Sequence, residues 1–301
     1  MTSFSIGYDE RMIQHRVIPL ALSLVASLPA QQVASTGPAR IHVIGASVSG
    51  GFVDGPLFGA KEQGSSVSMS RVLKQWCGDE VKVTTHPQME MWMLFREPAK
   101  TGKKQVKLAK RRKADVVMAV DFLFWFAYGF VWGDPNEHRP ARFEQGLALL
   151  DELDVPLVVG DVPDMRGAST RMLKPRQIPT AAMTRRLNER LVEWAKQREN
   201  VTLVSLSNLV KELKDDGSAL PLASGDLRTP PAALLQDDGL HATRLGMALL
   251  TFRLQGTLQK LFSKGHGLYG HGWTFEQFVE AAGAEEELES LFGEVRQRVR
   301  K

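Results

Sequence analysis

Five short apolar runs, at residues 40–44, 81–85, 114–122, 155–160 and 201–206, punctuate the chain, and helical patterns fall between them. Each run is short and Val-rich or β-branched, and the third and fourth are apolar on consecutive positions, which fits strands buried on both faces. The intervening segments show a different period. Val67, Met69, Val72, Leu73 and Trp76 recur at helical spacing before Gly78, and Phe143, Leu147, Leu150 and Leu153 do so before the fourth run. Met183, Leu187, Leu191 and Trp194 form a third stripe, on a helix opened by Ile178-Pro179-Thr180 and running to about residue 198. Strands alternating with helices predict one parallel sheet covered on both faces by right-handed crossovers. The expected fold class is therefore α/β, a three-layer α/β/α sandwich with a five-stranded parallel sheet, flavodoxin-like in outline.

Flanking segments set the domain boundaries. Arg11 and Arg16 precede an apolar stretch at 17–30, the layout of a signal peptide, so 1–35 is expected to be a targeting segment and linker. Export to the periplasm or medium is the corresponding expectation, with a cytoplasmic location if 1–35 is instead an N-terminal helix. Residues 36–264 make the α/β domain. Residues 265–301, glycine-rich and then Glu- and Arg-rich with Phe275, Phe278 and Leu291, read as a helical extension. The lone Cys77 has no intrachain partner and sits in an apolar context, as a small buried hydrophobe does.

Charge changes the picture in one place. The chain carries a formal net charge of +4, yet residues 100–113 alone hold eight Lys and Arg and no acid, so the remainder is net negative, about −4. That run reads either as a solvated helix face or as a weak contact surface for anionic lipid or polysaccharide. No aromatic residue interleaves with it, which argues against stacking on single-stranded nucleic acid, and no nucleic-acid partner is expected.

Candidate chemistry sits at the carboxyl end of the first run, in Gly45-Ala46-Ser47-Val48-Ser49-Gly50-Gly51. Ligands bind at this edge of open α/β sheets. Ser47 is then a candidate nucleophile, or else a turn residue in a loop that cradles an anion through its backbone. Far along the chain, Asp238-Gly239-Leu240-His241 places a carboxylate where it can orient an imidazole, although the same spacing serves helix capping. Together Ser47, Asp238 and His241 make a candidate triad.

Phe124, Trp125 and Tyr128 begin just past the third run, as pocket walls or as buried loop anchors. The methionine-rich stretch at 89–95 is a core, lid or pocket segment. Asp161 and Asp164 are too few to specify a metal, His266 and His271 lack a third ligand type, and neither a metal nor an organic cofactor is expected.

These residues resemble the SGNH or GDSL hydrolases, over roughly residues 40–262. Ser47 stands where that family has the serine of its first turn, with Ala46 in place of the usual Asp and Gly50 or Gly51 for the later glycine. Asp238 and His241 match the family's carboxyl-terminal Asp-x-x-His. The resemblance implies an ester hydrolase that acts on lipid-like or carbohydrate-borne acyl and acetyl esters through an acyl-enzyme, without cofactor.

Two family oxyanion donors have no counterpart: residues 86–90 contain no glycine, and Asp121 stands at the asparagine position. Gly45, Ala46, Gly50 and Asp121 are therefore the oxyanion or site-lining candidates. Asp121 could be protonated and donate, or could anchor loop amides while the Ser47 amide and another loop amide serve the oxyanion. The alternative function is a catalytically weakened binding or structural protein on the same scaffold.

Overall fold

The computed structural model describes residues 39–53, 63–85, 96–262, 264, 266 and 268–299. The targeting segment expected at 1–35 and the methionine-rich stretch at 89–95 lie outside these residues. Strands β1 (Ala39–Val43), β2 (Val81–Thr85), β3 (Val116–Ala119), β4 (Leu157–Gly160) and β5 (Val201–Val204) form one all-parallel sheet in the order β2-β1-β3-β4-β5. Every residue of β3 and β4 is buried, as their uninterrupted apolar sequences require. The chain steps outward from β1 to β2 and then returns to the other side of β1 for β3. The carboxyl ends of β1 and β3 therefore flank the crevice at which such sheets bind ligands.

Helices cover both faces. On one side lie α1 (Ser47–Gly50), α2 (Met69–Cys77), α8 (Arg244–Leu261) and α9 (Phe275–Ala282). On the other lie α3 (Pro98–Arg111), α4 (Phe124–Tyr128), α5 (Pro135–Leu150) and α6 (Ala181–Lys196). The shorter α7 (Leu206–Lys211) follows β5, and α10 (Glu285–Val299) ends the described chain. Starts are set by side-chain caps: Ser68, Asp134, Thr180 and Thr243 each accept from a backbone amide of the first turn. Phe275 and Phe278 share one buried cluster with Trp76, so the glycine-rich segment leads back into the domain core.

Two details differ from the expected pattern. The third strand is shorter than 114–122, because the Phe122 amide turns back onto the Ala119 carbonyl at 3.2 Å and closes a turn. The aromatic run beyond it is helix α4. Its Phe126 ring is clasped between Gly102 of α3 and Gly146 of α5, where an added Cβ would lie 3.1 and 2.8 Å from it.

The buried Arg139 of α5 then ties α4 to the loop after β4. It donates to the carbonyls of Ala127, Gln177 and Arg176, and burial pulls its pKa down to about 10, still charged at neutral pH. A two-stranded hairpin, Ala219–Leu220 with Leu227–Arg228, was too short to show in the pattern. Among the described residues, no helix is long and apolar enough to cross a membrane.

Candidate active site

The serine turn grows directly out of β1. The Ile44 amide makes a last rung to the Met118 carbonyl at 2.9 Å, and Gly45 then turns with φ +147°. Its backbone is clipped by one side chain from α3: Gly45 N–H donates to Gln105 Oε1 at 3.2 Å, and Gln105 Nε2 donates to the Gly45 carbonyl at 2.8 Å. A Cβ at this position would lie 2.0 Å from Asp121 Oδ1, so only glycine fits.

Asp121, two residues past β3, is 4% exposed and faces the turn. Its Oδ2 accepts from the amides of Val48 at 2.7 Å and Ser49 at 3.3 Å, and its Oδ1 accepts from the Ser49 hydroxyl at 2.5 Å. Burial pushes the carboxyl above its usual range, offset in part by the Ser49 hydroxyl and by the amides of Ala46, Ser49 and Val48. Both oxygens are thus occupied by the turn. The amides of Gly50 and Gly51 bond back to Ala46 and Ser47. In this set the Ser47 amide alone has no acceptor among the described residues, and the Ser47 side chain is half-buried.

The second half of the constellation is local. Asp238 Oδ1 accepts from the amides of Leu240 and His241, both at 2.9 Å, and Oδ2 lies 2.6 Å from His241 Nδ1. Burial alone would raise the Asp238 carboxyl. The hydrogen bond and electrostatic attraction of the His241 ring, together with the two amides, outweigh it and hold the group below the ordinary carboxylate range. An ionised Asp238 is an acceptor only, so the imidazole carries its proton on Nδ1 and presents Nε2 as a base. Gly239, at φ +62°, lets the loop turn back, and the Gln236 amide donates to the His241 carbonyl at 2.8 Å.

Two contacts bring the halves together. Gln236 Nε2 donates to the Phe52 carbonyl at 2.9 Å, and the Phe52 ring stacks on the His241 ring at 4.1 Å. The segment that begins at Ser47 therefore lies against the Asp238–His241 loop. No hydrogen bond joins Ser47 Oγ to His241 among the described residues. Such bonds commonly close only around substrate.

Other named residues fall as follows. Tyr128 is fully buried, stacked on Phe124 at 4.4 Å. Its hydroxyl donates to the Pro163 carbonyl at 2.7 Å and accepts from the Met165 amide at 2.9 Å, which makes it an anchor for the loop after β4. Phe124 is buried and Trp125 half-buried, edge-on to it at 5.0 Å. Asp161 caps α7 through Ser207, and Asp164 pairs with Arg166. Among the described residues, no group of three His, Cys, Asp or Glu is placed to hold a metal.

Gln105, Ser49, Phe52 and Gln236 were not foreseen from the chain pattern. Ser49, two positions beyond Ser47 in the same turn, was the one with a local signal.

No family model matches the chain, and no curated protein matches it. Among solved structures, a gut microbial diltiazem-metabolizing enzyme is similar over 76% of this chain and 48% of that one, at 13% identity and a TM-score of 0.42. This chain thus spans about half the length of that enzyme, and a likeness so remote carries no functional argument.

Proposed function

We propose that the protein is a serine hydrolase of carboxylic esters, with Ser47 as nucleophile, His241 as base and Asp238 as the group that orients the imidazole. The observation that supports this most is the buried Asp238–His241 pair, held against the serine turn by Phe52 and Gln236, with no acceptor on the Ser47 amide among the described residues. In this reading His241 Nε2 takes the Ser47 proton as Oγ bonds to the acyl carbon, and the carbonyl π pair moves onto oxygen. The oxyanion takes the Ser47 N–H as a donor. Collapse of the adduct breaks the ester C–O bond, and the leaving alcohol takes the proton from the imidazolium. Water, deprotonated by the same Nε2, then releases the acid and restores Ser47.

Asp121 acts in this scheme by shaping the turn, since its oxygens are already engaged. Each oxyanion donor absent from such a site lowers turnover by about 100 to 1,000-fold, which makes a slow enzyme the expectation. The acyl group belongs to a lipid-like or carbohydrate-borne ester. The second reading, a binding protein on this scaffold, is favoured by the unmade Ser47–His241 bond and by a carboxylate at the asparagine position. A fluorophosphonate probe separates the two. Covalent labelling of the wild type that disappears in Ser47→Ala, and that falls in His241→Gln far more than thermal stability does, supports the hydrolase. Absence of labelling between about pH 6 and 9 refutes it.

A further inference from the structure

At the amino end of the sheet, away from Ser47, β1, β2 and the turn from α3 into β3 frame a second concavity. It has a volume of about 260 Å³ and is lined by Arg40, Lys82, Thr84, Arg112 and Ala114. We propose that it binds a phosphate group. Arg40 and Lys82 are register partners on adjacent strands and so project from the same face of the sheet. Arg112 caps the end of α3 as the chain turns into β3.

Arg40 is held in place by Asp115, with Nε to Oδ2 at 3.1 Å and Nη2 to Oδ1 at 3.2 Å. Neither Lys82 nor Arg112 has a carboxylate partner among the described residues. Three cations therefore converge on one notch against a single carboxylate, leaving a local excess of two positive charges. A phosphomonoester dianion matches that excess. It also offers the several acceptor oxygens that two guanidinium groups and an ammonium can share, which a lone carboxylate does not.

The phosphate could belong to a free phosphomonoester or to the headgroup of phosphatidic acid, and one set of variants distinguishes them. Inorganic phosphate is titrated calorimetrically into the full chain at about 50 mM chloride, where screening is modest. In parallel the protein is floated with phosphatidylcholine vesicles containing either phosphatidic acid or phosphatidylserine. Saturable one-site phosphate binding is expected, weakened at least tenfold in Lys82→Gln/Arg112→Gln. The control Lys103→Gln/Lys107→Gln removes the same charge outside the notch and should bind nearly as the wild type does. Flotation with phosphatidic acid but not phosphatidylserine, lost in the notch variant, assigns the headgroup; phosphate binding without flotation assigns a free phosphomonoester. Equal losses in both double variants, or no saturable phosphate binding and no preference for phosphatidic acid, overturn the site. Ester hydrolysis by the notch variant should be unchanged, so this test stands or falls separately from that of Ser47.

Discussion

Replacing Asp121 with alanine would strip one acceptor group from three donors at once: the amides of Val48 and Ser49 and the Ser49 hydroxyl. A buried donor left dry costs about 1–3 kcal/mol, and water entering the vacated space recovers part of that, so a loss of about 3–5 kcal/mol is expected. Asp121→Asn is the informative partner. Its amide oxygen can still accept from the Val48 and Ser49 amides. Its NH2 can donate to Ser49 Oγ, whose own proton then turns to the Ile44 carbonyl 3.1 Å away. All three contacts are kept, so its cost at neutral pH should stay below about 1 kcal/mol.

The assay is urea unfolding of the three proteins from pH 3 to 8. Burial sets the folded carboxyl's pKa above the ordinary 3.8, so the folded state takes up a proton more readily than the unfolded one. The stability linked to that shift is fully present below 3.8 and is lost as pH rises through the raised value. Acidification across that window should therefore widen the advantage of the wild type over Asp121→Asn. A cost for Asp121→Ala below about 1 kcal/mol, or equal costs for the two variants, would refute the anchoring role.

The same network makes Gly45→Ala severe. Its methyl would sit 2.0 Å from Asp121 Oδ1 and 2.6 Å from Ser49 Oγ, so a loss of about 3 kcal/mol or more is expected in chemical denaturation, and wild-type stability would mean the turn can shift freely. Asp238→Asn should cost about 1–3 kcal/mol at pH 7. Because the Asp238 pKa is depressed on folding, that contribution exists above 3.8 and fades as pH falls through the folded value, so the gap in urea midpoints should close on acidification. Trp132, at 86% exposure, should tolerate alanine within about 0.5 kcal/mol in a thermal melt, and a larger shift would reveal a contact the fold does not account for.

What could be read from the chain, and what could not, follows sequence separation. β2 runs over residues 81–85 as expected, because a run of β-branched residues between turn residues declares itself locally. Asp238 and His241 lie three positions apart, so their contact was within reach of a spacing argument. The contacts that assemble the turn are not local: Gln105 with Gly45 spans 60 residues, Asp121 with Ser49 spans 72, and Gln236 with Phe52 spans 184. Nothing in the neighbourhood of Gln105, on a helix dense with lysine, marks it as the clip for a glycine on another element. The aromatic run at 124–128 hid its helix for a different reason, since five residues are fewer than two turns and show no period.

The glycine clasp around Phe126 bears on any attempt to redesign this scaffold. Helices α3 and α5 look from their surfaces like interchangeable amphipathic rods, and helix-favouring alanine is the substitution a stabilising screen would first try at Gly102 and Gly146. At these two positions the added methyl would meet Phe122, Phe126, Leu123 or Leu149 at 2.8–3.1 Å. The displaced ring sits on the short helix that starts three residues after Asp121. A consensus-style change made far from the serine turn would thus be transmitted to the carboxylate that shapes it. Libraries built on this protein should keep both glycines fixed while the outward faces of the same helices are varied.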